Sequence, residues 1–427
     1  MDDALLASAP TLVEELCDVS VDLRLCLNQY SGISWHRGMR FPADANRAGF
    51  VAETAACATI CRMALSTVQI HLIPSMFGER ERVLVATDEL TAHTFRFDSG
   101  VCGLRLRNAR GEFVMLPFQG QQIWSARMNG RDLTMRSMFT QPRAGVPFLE
   151  TFGGFLQHCG ATAMGGPSPE DTHPLHGELP NAPFQEAQLS VGADETGAYI
   201  ALGGRYQHTV AFATNYAAEP HVKLRANASV FEIGMRVTNL KASPMDLLYL
   251  MHVNFRPVDQ GRLCYSARYT PEHVRVRTGI PAHIKPLPGY PEFLQVLKAN
   301  PEKHHRLDPA LMFDPEVALF IDYQADGEGW ARSVQVHPNG EADYVAHRPD
   351  QLPKATRWLC RTADQDSIAI VEPGTAEPEG YLAEKRKGNI MVLPPRGVWQ
   401  CQVLAGALNA AEAAAMEARV DAAMGRS

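Results

Sequence analysis

The sequence predicts an all-β protein of packed antiparallel sheets, and three observations carry that reading. From about residue 84 to 405 the apolar pattern has a period of two. Hairpin-type dipeptides punctuate it at Asn129-Gly130, Asp326-Gly327 and Asn339-Gly340, and helical windows are few. The clearest strand is 231–239, where Phe231, Ile233, Met235 and Val237 fall on one face and Glu232, Arg236 and Thr238 on the other. Phe95 and Phe97 alternate with polar neighbours, as do Leu104 and Leu106 with Arg105 and Arg107.

The ends read differently. Residues 1–80 form an N-terminal appendage, partly helical. Leu5, Leu6, Leu12, Val13 and Leu16 recur at roughly helical spacing, and a second Ala-rich stretch runs from Ala43 to Leu65 with Asp44 or Asn46 as candidate cap. Residues 81–405 are the β region. Residues 406–427 are expected to form a surface helix, since Asn409 to Met424 is rich in Ala and Glu.

Composition excludes several classes. The chain of 427 residues is 45% hydrophobic and 20% charged, with a formal net charge of −7, so no basic surface for nucleic acid is expected. No apolar run approaches the roughly 20 residues needed to span a bilayer. The nine cysteines contain no CxxC pair, which leaves a thiolate zinc site or redox motif without support. Reduced cysteines and the opening Met1-Asp2-Asp3, without a basic stretch ahead of an apolar one, fit a cytoplasmic protein.

Three segments could carry chemistry. The first runs through residues 151–160, then Gly165-Gly166-Pro167 and 173–181. Its glycines let backbone approach a ligand or adopt positive φ. His173 and His176, with His158, raise the question of a metal, but no third ligand stands at fixed spacing and none is expected. His176 is either a donor to a bound hydroxyl or a turn histidine satisfied by backbone. The second segment is 246–255. Read as a strand, it sets Leu248, Leu250, His252 and Asn254 on one face. An imidazole at the end of an apolar strand is either a proton-transfer group or a hydrogen-bonded core residue. The third is 368–375, where Glu372 closes an apolar run. Partial desolvation makes a carboxylate a better base; the alternative is an edge carboxylate facing water. The phosphate-loop, dinucleotide and nucleophile-elbow motifs are absent.

The order of these segments resembles an aldose-1-epimerase-like branch of the galactose mutarotase superfamily. The resemblance rests on Gly153 to Asn181, on His252-Val-Asn254, on Leu352-Pro353, Trp358 and Val371-Glu-Pro373, and on 388–397 near the end, and it spans about residues 95–405. It implies a β-supersandwich of two large sheets with a sugar cleft and no cofactor or metal. It also implies anomer interconversion, with His252 as acid, Glu372 as base and His176 as hydroxyl donor. Asn254, Asn181, His158 and Glu178 are the candidate substrate contacts. The expected partner is a small-molecule sugar, bound by a monomer or homodimer. The rival expectations are a non-catalytic carbohydrate-binding protein and a sugar lyase or hydrolase on the same scaffold. Glu178 stands where an arginine is common in that branch, and Pro395-Arg-Gly replaces its usual Pro-Gly-Glu.

Overall fold

The computed structural model describes residues 67–280, 284–311 and 313–426. The helices expected at 3–17 and 43–65 lie outside the described residues, as do Cys17, Cys26, Cys57 and Cys61.

Among the described residues the strands form two large sheets, one of nine strands and one of thirteen. The sheets are antiparallel and pack face to face. Phe231, from the nine-stranded sheet, meets Phe113 of the other and Phe155, which directly precedes the strand Leu156–Ala161, at ring-centroid distances of 5.1 and 6.0 Å. Phe231, Ile233, Met235 and Val237 are all buried in this shared core, as their alternation predicts. The strand Val68–Leu72 already pairs with Glu186–Asp194 in the nine-stranded sheet, so the β region begins earlier than residue 81.

Four strands of the thirteen-stranded sheet matter for function: β1 (Leu156–Ala161), β2 (Met245–Val253), β3 (Lys354–Arg361) and β4 (Asp366–Gly374). They lie side by side in the order β3-β4-β2-β1. Their residues are buried on both faces because loops cover the side that faces away from the partner sheet. On β2, Tyr249, Met251 and Val253 point into the inter-sheet core, while Leu248 and Leu250 pack with Cys159, Met164 and Ala376 on the opposite face.

Among the described residues three α-helices are peripheral to the sheets: α1 (Tyr290–Ala299), α2 (Tyr381–Lys387) and α3 (Ala410–Ala423). The last is the expected C-terminal helix. It starts at a capping box in which the Asn409 side chain accepts from Glu412 N–H and Glu412 accepts from Asn409 N–H, satisfying two end donors. Among the described residues no helix is long and apolar enough to cross a membrane.

Candidate functional site

Strand register builds the site. Leu250 pairs with Gly374 across β2 and β4, so two residues further along the antiparallel ladder His252 stands opposite Glu372. On the outer flanks Gln157 of β1 pairs with His252, and Thr356 of β3 pairs with Glu372. The result is one row of polar side chains, Gln157–His252–Glu372–Thr356, crossing four strands on the face away from the partner sheet. All four are at least 95% buried.

The centre of the row is an imidazole and a carboxylate. His252 Nδ1 and Glu372 Oε1 are 3.0 Å apart. Their alignment does not complete a hydrogen bond, so both atoms remain buried without a hydrogen-bond partner, as does Gln157 Oε1. Asn254 follows His252 by two residues; its Nδ2 donates to Gly154 O at 3.0 Å while its Oδ1 is likewise unpartnered. Buried polar atoms are nearly always satisfied in folded proteins, so several unsatisfied ones in one place mark where a polar ligand or water belongs. The charge of Glu372 is felt nearby: burial first, and then this carboxylate, push the Cys159 thiol well up.

Aromatic rings wall the pair. Phe152 and Trp358 each pack edge-on against His252 at 5.4 Å, and Phe148 lies 4.9 Å from the His176 ring. Trp358 is fixed by its indole N–H, which donates to Glu316 Oε2 at 2.7 Å, and Glu316 is in turn paired with Arg277. Such walls lower the local dielectric around the pair.

His176 reaches the site from a loop. Its ring centroid is 5.6 Å from that of His252. The residue takes φ +61, with its N–H donating to Gly165 O and its carbonyl accepting from Gly160 N–H. Two glycines make this path possible. Gly165 (φ +83) would place a Cβ 2.2 Å from the Pro378 carbonyl carbon, and Gly177 (φ +79) would place one 2.2 Å from Ala163 O.

The remaining candidates are placed elsewhere. His158 pairs with Met251, so it faces the inter-sheet core, where its Nδ1 meets Tyr249 Oη at 2.6 Å. Burial, with a smaller contribution from His221, brings its imidazole down to about 3, and it stays neutral. Its odd-even parity on β1, one residue off Gln157, puts it on the wrong side of the sheet for the substrate contact expected of it. Glu178 is bound up in structure, accepting from Ala161 N, Thr162 N, Thr162 Oγ1 and the Tyr216 hydroxyl. Asn181 braces the loop entry, donating to Val146 O and accepting from Gln122 Nε2 at 2.9 Å. Sequence reasoning passed over Gln157, Thr356 and Phe148, because nothing in the chain tells which strands become neighbours.

The histidines 158, 173 and 176 do not assemble as a metal ligand set. Among the described residues the cluster with metal-ligand spacing is Glu377, Glu379 and Glu384. There Lys387 Nζ sits among the carboxylates, 2.6 Å from Glu377 and 2.8 Å from Glu384, and also bonded to Glu379.

Comparison with known proteins agrees with this architecture. Residues 98–264 match a family described as a domain of unknown function, DUF4432. No curated protein matches the chain. Among solved structures, a candidate aldose 1-epimerase from Klebsiella pneumoniae superposes with TM-score 0.65 at 17% identity, covering 84% of this chain and 92% of its own. A galactose mutarotase-like protein from Clostridium acetobutylicum gives TM-score 0.50 at 11% identity, covering 75% and 99%. A protein from Synechocystis sp. PCC 6803 gives TM-score 0.50 at 14% identity, covering 72% and 95%. At such identities the likeness establishes the fold, a galactose mutarotase-like β-sandwich, and leaves the activity to be argued from the site.

Proposed function

We propose that this protein interconverts the α and β anomers of an aldose by acid–base catalysis at His252 and Glu372. The observation that carries the reading is the buried imidazole–carboxylate pair, 3.0 Å apart and unaligned with each other. Each group is held beside the other without a completed hydrogen bond between them. Mutarotation needs such a pair, because the two oxygens that exchange protons, the ring oxygen and the anomeric hydroxyl, are borne by one carbon.

In the forward step the His252 imidazolium protonates the ring oxygen while the Glu372 carboxylate takes the proton of the anomeric hydroxyl. The bond from C1 to the ring oxygen breaks and the C1 carbonyl forms. Rotation about the C1–C2 bond exposes the other carbonyl face. Closure then returns the Glu372 proton to the carbonyl oxygen, and His252 recovers its proton from the chain hydroxyl. Protons and electrons balance, and both groups end as they began. Each positioned proton-transfer group is expected to contribute about 10²–10⁴-fold. His176 beside His252, and the free oxygens of Gln157 and Asn254, are placed to bind sugar hydroxyls. The Phe152 and Trp358 rings exclude water from the aldehyde intermediate.

Exchange spectroscopy on α and β anomer signals, across a panel of free aldoses and deoxy-sugars, tests the proposal. Acceleration by the protein that is lost in Glu372→Gln is the expected outcome. A protein that binds a sugar without accelerating exchange is instead a binding protein on this fold.

A further inference from the structure

Arg357 is among the largest fully buried side chains of the molecule. It lies on β3 directly after Thr356, the register partner of Glu372, and therefore on the opposite, inter-sheet face. All its close partners are neutral. Nε donates to Ile370 O at 2.9 Å, Nη1 to His304 Nε2 at 2.7 Å and Nη2 to the Tyr323 hydroxyl at 3.1 Å. Its guanidinium carbon lies 4.0 Å from the Tyr265 ring centroid. Among the described residues no carboxylate comes within the 4.0 Å of an ion pair with it. The surroundings register its charge: burial, then Arg357 and His305, drive His304 well below its ordinary value, and burial with Arg357 and Arg426 brings His305 to about 3. Two imidazoles beside it are thus held neutral and cannot disperse the charge further.

On the other face of the same strand pair sits Glu372, 2% exposed and equally without a lysine or arginine partner among the described residues. Its neighbours are His252 on β2, the Cys159 thiol on β1 and neutral Thr356 on β3, with Trp358 and His176 packed against the His252 ring. Glu316, behind Trp358, is already paired with Arg277. A buried cation without an anion is expensive and is retained only where something offsets it.

We propose that Arg357 is the through-sheet counter-charge of Glu372 and sets the pH window in which the carboxylate is ionised and His252 can give up its proton. It is a positioning residue for charge, touching no substrate. The inference rests on the reading of His252 and Glu372 as acid and base. In general a unit charge about 10 Å from a titrating group, at an effective dielectric constant near 20, displaces its titration by about one pH unit. Its positive sign acts on both groups alike: it favours the ionised carboxylate and disfavours the imidazolium. Removing it moves both limbs of the bell-shaped rate profile to higher pH.

The test is the pH profile of kcat/KM for anomer exchange in wild type, Arg357→Met, His304→Glu and His304→Gln. Arg357→Met deletes the charge. His304→Glu keeps the arginine and gives it an adjacent carboxylate, so it carries the test should Arg357→Met fail to fold. Both are expected to shift the two limbs upward by about one pH unit, and His304→Gln, which adds no charge, is expected to leave them in place. A fall in rate with unmoved limbs in His304→Glu overturns the inference and makes Arg357 a packing residue. A wild type that exchanges no anomers defeats the proposed function itself, and this inference with it, so the two failures are told apart.

Discussion

Lowering the pH from 7 to 5 is expected to remove at least about 6 kcal/mol of folding stability: three histidines supply that magnitude, and His304, which burial also drives well below its ordinary value, adds to it. His158, His305 and His347 are each brought down to about 3, burial being the largest cause in every case. In the unfolded chain they titrate near 6.5. At pH 5 the unfolded state therefore binds a proton at each and the folded state does not. Stability from these groups is present above about pH 6.5 and is lost as pH falls toward about 3, at about 2 kcal/mol per histidine by pH 5. The figure is insensitive to the folded value, since pH 5 lies well above it. Asp194 does not compete in this window. Asp194, held well below its ordinary value chiefly by Arg225 and Thr196, loses its contribution only below about pH 4. Urea unfolding at pH 7, 6 and 5, followed by tryptophan fluorescence, measures the change. His347 Nδ1 has no hydrogen-bond partner, so His347→Leu forfeits little and should remove about 2 kcal/mol of the pH dependence. A change under about 1 kcal/mol between pH 7 and 5 would refute the reasoning, because it requires these imidazoles to be protonated in the folded state.

Further predictions concern the scaffold. Lys387→Met leaves the buried carboxylates of Glu377 and Glu384 facing each other, and a loss of about 3 kcal/mol is expected in chemical denaturation; a variant as stable as wild type would contradict the clamp. Gly165→Ala forces a Cβ against Pro378 at positive φ, so it should displace the His176 loop and lower anomer-exchange rate more than it lowers the melting temperature. An unaltered rate would show that the loop tolerates the shift. Phe231→Ala opens the contact between the sheets and is expected to cost about 3–5 kcal/mol in urea unfolding while sparing the site residues.

How much of this was legible in the chain depends on whether burial is one-sided. Strand 231–239 has one solvated face, so its alternation reveals both the strand and its core face. The run through Leu248, Leu250 and His252 also reads correctly as one face, because the polar residues end it. Strand β1 is different. Every residue from Leu156 to Ala161 is buried, so no alternation distinguishes the side of Gln157 from that of His158. The histidine drew attention by residue type and lies on the core side, while the unremarked glutamine lies beside His252. The same limit hid Thr356 and Arg357, adjacent in sequence and separated by the sheet. Glu178 and Asn181 entered as candidate ligands through the family resemblance, yet their hydrogen bonds are spent on structure around the His176 loop. Which strands neighbour one another is a tertiary fact, and it alone brings position 252 against position 372.

The central claim is that His252 and Glu372 act on one sugar as a unit, and a double-mutant cycle on the mutarotation rate tests it most directly. The rate is followed by polarimetry for wild type, His252→Asn, Glu372→Gln and the double variant, with each fold checked by circular dichroism. Groups that work in one concerted step are non-additive. Each single variant is expected to lose several orders of magnitude, on the order of the 10²–10⁴-fold due to each proton-transfer group or more, and the double variant to lose little beyond the worse single one. Folded variants with near-wild-type rates, or losses that simply multiply, would contradict the account.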